Sequence, residues 1–98
     1  VSARIVRLLG LGVRAGNVVI GVAGVRAGLQ RGKLACVVLA EDAGQRTMEK
    51  VTRLAKAKGI PVLRGPAASE LGAGLGRPSV QAVGVSDAAL VRGLMAEG

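Results

Sequence analysis

Gln30-Arg31-Gly32-Lys33-Leu34-Ala35-Cys36-Val37-Val38-Leu39-Ala40-Glu41-Asp42-Ala43-Gly44 is the stretch that decides how the chain reads. Leu34 to Ala40 is an unbroken apolar run of strand length. A half-exposed strand alternates apolar and polar residues, whereas an unbroken run marks a central strand covered on both faces. Gly32 closes whatever precedes it, and Glu41 to Gly44 forms the loop that follows. A strand covered above and below requires helices as neighbours.

Helices are expected on either side. Downstream, Gln45 to Lys58 places Met48, Val51, Leu54 and Ala55 inward, leaves Arg46, Lys50, Arg53 and Lys56 on the remaining surface, and stops at Gly59. Upstream, Ala23 to Arg31 aligns Val25 and Leu29, although Gly24 and Gly28 weaken that helix intrinsically. Val18-Val19-Ile20 is a β-branched strand ended by Gly21. Ser2 to Arg14 is a helix that Ser2 can cap, with Ile5, Leu8, Leu9 and Gly12 on one stripe and Gly16 placed for a left-handed end. Toward the C-terminus come a strand Ile60-Pro61-Val62-Leu63, a short helix from Ser69 to Leu75, a strand from Val80 to Val85, and a last helix capped by Asp87. The order α-β-α-β-α-β-α-β-α predicts a three-layer α/β/α sandwich, and alternation alone points to a mostly parallel sheet.

The 98 residues fit one domain, 1–98. Half are apolar, none is aromatic, and fourteen Lys and Arg oppose six Asp and Glu for a net charge of +8. Such a surplus bears on partners rather than on fold and favours a polyanion. Arginine predominates, and its guanidinium forks onto phosphate in a way that lysine does not. Arg4 and Arg7 interrupt the apolar residues of the first helix, so no secretory signal is read, and a cytoplasmic location is expected. No apolar segment approaches the ~20 residues a membrane span needs.

The chemistry of catalysis is scarce. Without histidine there is no imidazole acid/base work, and one cysteine permits neither a disulfide nor a cysteine zinc cluster. Cys36 reads as a small buried hydrophobe. Glu41 and Asp42, at the carboxyl end of the central strand, read first as a pair that caps the loop. Gly10-Leu11-Gly12-Val13-Arg14-Ala15 matches a loose dinucleotide pattern in the wrong context, at the end of a helix instead of after a strand. Gly72-Ala73-Gly74-Leu75-Gly76 reads as close packing and a helix end. No enzyme activity, cofactor, metal or small-molecule substrate is expected. The strand-to-helix turn Ile20-Gly21-Val22-Ala23 holds the best binding prospect: a helix N-terminus offers unpaired amides and partial positive charge to an anion.

Taken together, these segments resemble the kink-turn-binding ribosomal protein superfamily of L7Ae and L30e, most closely its bacterial YlxQ-type branch. The matching pieces are Leu8 to Gly16, Gln30 to Ala43, Gly59-Ile60-Pro61-Val62, Glu70-Leu71-Gly72 with Leu75-Gly76, and Val83-Gly84-Val85-Ser86-Asp87. The resemblance implies that the four-stranded sheet is mixed, and that the chain binds structured RNA without catalysis. It places the RNA surface at Gly21 to Arg26, Glu41 to Arg46 and Arg64 to Ala68. Where the family carries Gly-x-Asn-Glu-x-x-Lys, this chain has Gly21, Ala23, Gly24 and Ala27, and Asn17 replaces a common lysine.

The expected RNA contacts are therefore Arg14, Asn17, Gly21, Val22, Ala23, Gly24, Arg26, Lys33, Glu41, Asp42, Arg46, Lys50, Arg64, Gly65 and Pro66. Arg26, Arg46, Lys50 and Arg64 are the leading phosphate ligands, and the protein is expected to act as a monomer. Without aromatic rings to stack splayed bases, recognition would rest on phosphate, shape and arginine. The alternative is a protein-interaction module that keeps the fold without reading kink-turns.

Overall fold

A computed structural model describes residues 2–97, with side chains from 3 to 96. The cap expected from Ser2 lies outside the described side chains. The elements are α1 (Ser2–Arg14), β1 (Val18–Ile20), α2 (Val22–Gln30), β2 (Cys36–Leu39), α3 (Gln45–Ala57), β3 (Val62–Arg64), α4 (Ala68–Leu75), β4 (Ala82–Val85) and α5 (Ala88–Glu97). The order matches the alternation read from the sequence.

The four strands form one sheet in the order β1-β4-β2-β3. β2 pairs with β3 in parallel, while β4 runs antiparallel to both β1 and β2. Hence β1, β2 and β3 share one direction and β4 opposes them. The sheet is mixed, and the mostly parallel arrangement suggested by alternation is corrected. Hydropathy is blind to strand direction, so nothing in the apolar pattern of β4 could have revealed its reversal.

β2 is the keel of the molecule, and all four of its residues are buried. Its pleat feeds two cores. Cys36 and Val38, with Val83 and Val85 of β4, pack against Ile5 and Leu9 of α1, Leu71 of α4 and Leu94 of α5. Val37 and Leu39, with Ala82, pack against Val25 and Leu29 of α2 and Val51 and Ala55 of α3. The result is a three-layer sandwich with α2 and α3 on one face and α1, α4 and α5 on the other. Each fully buried aliphatic side chain contributes about 1.5–3 kcal/mol relative to exposure. Burial also pushes the Cys36 thiol up to about 11, as desolvation disfavours the thiolate.

Element ends follow local chemistry. Asp87 caps α5 through its carboxylate, which accepts from the Ala89 amide at 3.2 Å. β4 starts two residues later than expected, because the Val80 amide donates to the Ala68 carbonyl of α4 and not to a strand. The glycines from 72 to 76 act as read: Gly76 ends α4 at φ +75°. A Cβ on Gly72 would lie 2.6 Å from the Arg77 carbonyl oxygen. The loose dinucleotide pattern falls within and just after α1. Among the described residues, no helix is long and apolar enough to cross a membrane.

Candidate functional site

Because β1, β2 and β3 are co-directional, their carboxyl ends reach the same edge of the sheet. The start of the reversed β4 reaches it too. The three segments of expected contact therefore converge, although they are separated in sequence. Hydrogen bonds stitch them together. The Gly21 amide donates to the Ala82 carbonyl at 2.9 Å, and the Ala40 amide to the Gln81 carbonyl at 2.9 Å. The Gly44 amide donates to Gln81 Oε1 at 3.3 Å. The Gly65 amide donates to the Leu39 carbonyl at 2.7 Å, and the Glu41 amide to the Pro66 carbonyl at 3.2 Å.

Two helix N-termini at this edge lack side-chain caps. Gly21 precedes α2 at φ 100° and ψ 157°, and Gly44 precedes α3; neither helix has an acidic residue in its first turn. The Gly21 conformation belongs to a region that L side chains avoid. The space where its Cβ would stand is open. Backbone amides at the start of α2 are therefore approachable, with Ala23 exposed and Val22 turned partly into the core. Gly24 packs over Val19 and is half-buried.

The third helix end at this edge differs. Asp42 Oδ1 accepts from the Ala68 amide at 2.8 Å, filling the N-terminus of α4. Where the sequence led to a pair that caps its own loop, Asp42 instead caps a helix that starts twenty-six residues further on. Glu41 is exposed, and its carbonyl accepts from Arg64 Nη1 at 3.5 Å, the long limit of a hydrogen bond. Gly65 lies against Val38 and Pro66 is buried. Both shape the loop from within, which corrects the expectation of Pro66 as a surface contact. Among the described residues, no group of three or more His, Cys, Asp or Glu is arranged to hold a metal ion.

The expected cations divide between the two ends of the sheet. Arg26, Arg46, Lys50 and Arg64 are exposed at or near the edge just described. Arg26 and Lys50 line one groove of about 390 Å³ between α2 and α3, together with Gln30, Arg53, Leu54 and Ala57. Arg14, Asn17 and Lys33 precede β1 and β2, so they lie at the opposite edge. Asn17 and Lys33 line a different groove there, of about 330 Å³, with Arg31 and Ser86. That groove runs along α2 and takes in Gly24 of its first turn, so Asn17 and Lys33 share it with one residue of the α2 start. Arg53 was read only as surface; its spacing from Arg46 and Lys50 along α3 was the available signal.

The sequence matches the ribosomal protein L7Ae/L30e/S12e/Gadd45 family over residues 3–92. A search of curated proteins gave no match. Among solved structures, a protein of unknown function from Bacillus halodurans C superposes with a TM-score of 0.88 at 33% identity, over 96% of this chain and 95% of that one. The Giardia lamblia 15.5kD RNA binding protein superposes with a TM-score of 0.77 at 20% identity, over 97% of this chain and 82% of that one. At that identity the second likeness speaks for the fold alone. With nearly the whole chain matched, this protein is a member of the ribosomal protein L7Ae/L30e/S12e/Gadd45 family.

Proposed function

We propose that the chain, acting as one domain and as a monomer, binds structured RNA without catalysis through the sheet edge that carries the α2 N-terminus. The observation that carries this reading is the open start of α2: an uncapped helix end, a glycine with free space before it, and the exposed Arg26 one turn into the helix. Membership of a ribosomal protein family supports the same partner.

The chemistry follows from the residues. The first-turn amides of α2 receive a phosphate oxygen, helped by the helix dipole. Glycine at 21 and alanine at 23 let a ribose-phosphate chain come close. Arg26, Arg46, Lys50 and Arg64 neutralise neighbouring phosphates. Ala23, Gly24 and Ala27 lack the groups to read base edges, so selection rests on RNA shape and backbone rather than on base identity.

Those same three residues favour a second reading, a protein-binding module on the family fold. A gel shift with kink-turn, duplex and unstructured RNA, repeated across salt concentrations, separates the two. Phosphate-led binding weakens steeply with salt, with a log–log slope of about −0.9 per phosphate by the duplex-DNA relation. Arg26→Ala is expected to weaken binding without unfolding the protein. An affinity that is flat across the salt range, or no binding to any of the RNAs, would favour the protein-binding module.

A further inference from the structure

The net charge is unevenly spread across the two helical layers. Residues 22–33 and 45–58, which hold α2 and α3, carry Arg26, Arg31, Lys33, Arg46, Lys50, Arg53, Lys56 and Lys58 against the single carboxylate Glu49. All eight are exposed. The rest of the chain sets six cations against five carboxylates. Nearly the whole surplus of +8 thus sits on one side of the sheet. Glu49 accepts from Gln45 Nε2 at 3.2 Å and lines a groove on α3 beside Arg53 and Lys56, one carboxylate among the cations. Among the described residues, no hydrogen bond or ion pair engages the side chain of Arg26, Lys50, Arg53 or Lys56.

We propose that the outer face of α2 and α3 is a second RNA-backbone contact, a cationic track that leads away from the sheet edge along α3. Arg46, Lys50, Arg53 and Lys56 recur every three or four residues, so they follow one another down that helix. From Arg46 to Lys56 the rise is about 15 Å. That length suits several successive phosphates rather than one. The groove of about 390 Å³ places Arg26 and Gln30 of α2 opposite Lys50, Arg53 and Leu54 of α3, so the track has two walls. Its upper end is continuous with the open starts of both helices. Holding unpaired like charges this close together has an electrostatic cost that a polyanion removes. The track rests on the RNA-binding reading above and extends its footprint to Arg53 and Lys56.

The test uses the full chain, a double-stranded RNA hairpin, and salt titration of the affinity. Arg53→Gln/Lys56→Gln removes two charges far from the sheet edge and leaves the core untouched. The expected result is a log–log salt slope shallower by about two, an unchanged melting temperature, and an unchanged ratio of affinities for structured over unstructured RNA. Arg53→Lys/Lys56→Arg should retain the wild-type slope. A slope unaltered by the Gln pair, with wild-type binding intact, overturns the track and leaves the edge reading standing. If instead Ala23→Asp at the edge is silent while the Gln pair weakens binding, the edge reading fails and the track survives. Poly-glutamate bound through Arg53 and Lys56 more tightly than the hairpin would overturn the assignment to RNA.

Discussion

The starts of α2 and α4 stand at the same edge of the same sheet, and the chain treats them oppositely. At α4, Asp42 reaches across from the loop after β2 and fills the first amide at 2.8 Å, and Glu70 sits in the first turn. At α2 no side chain caps the helix, no acid lies in the first turn, and Gly21 takes a φ of 100°. Both ends expose the same orphan donors and the same dipole. A carboxylate that satisfies one of them makes it part of the scaffold. An end left open keeps its affinity for an anion from outside. The edge is therefore divided between a segment that holds the fold and a segment free to bind.

The backbone gives the sharpest way to break that contrast. Gly21→Ala forces a Cβ into a region tolerated almost only by glycine, at a cost of about 2 kcal/mol. For a domain of this size the melting temperature should fall by roughly 8–16 °C. Ala67, the equivalent position before α4, has an ordinary φ of −59°. Ala67→Gly should cost only about 0.4–1 kcal/mol, through the added freedom of the unfolded chain. Equal losses in the two variants, read by thermal melts, would show that the α2 start is not specially built.

Charge gives the next largest effect. Ala23→Asp supplies to α2 the carboxylate that α4 already has. It should lower affinity for structured RNA at least tenfold, about 1.4 kcal/mol, while the helix gains about 0.3–1 kcal/mol from its dipole. Weaker binding in a protein of equal or higher melting temperature is a result that misfolding does not produce. Undiminished RNA affinity would remove the α2 start from the interface. The reciprocal change, Asp42→Ala, strips the cap from α4. It should cost about 1 kcal/mol of stability and leave RNA affinity as it was. A strong loss of affinity in that variant would place Asp42 in the binding surface after all.

How much of this was legible in the sequence depended on range. The run from Leu34 to Ala40 announced a doubly covered strand, and β2 is buried throughout. Helix ends at Gly16, Gly32, Gly59 and Gly76 were readable because each takes a positive φ. Strand direction was not readable from hydropathy; the family resemblance implied a mixed sheet, and that β4 is the reversed strand came only with the strand pairings. Arg14, Asn17 and Lys33 precede β1 and β2, so even a mostly parallel sheet sets them at the end opposite the loops that follow those strands. The cap from Asp42 to Ala68, the burial of Pro66 and the groove shared by Arg26 and Arg53 all depend on contacts distant in sequence. No local pattern encodes those.

Cys36 offers the smallest effect at neutral pH and a probe for the larger ones. Its folded thiol is pushed up from 9.0 to about 11 by burial, so folding favours the protonated form. The stability linked to this group is complete below about pH 9 and is lost as pH rises toward 11, by up to about 1.4 kcal/mol per pH unit. Cys36→Ala should therefore flatten that part of the stability curve and leave its slope between pH 6 and 8 unchanged. Below pH 9 the buried thiol reacts only when the chain opens, so its labelling rate at pH 8 reports the opening equilibrium. Asp42→Ala should accelerate labelling about fivefold, the factor that matches about 1 kcal/mol. Ala23→Asp should leave the rate unchanged or slow it. If both variants sped labelling equally, a carboxylate at the α2 start would be as disruptive as its removal from α4, and the division of the sheet edge into a filled and an open helix end would lose its physical basis.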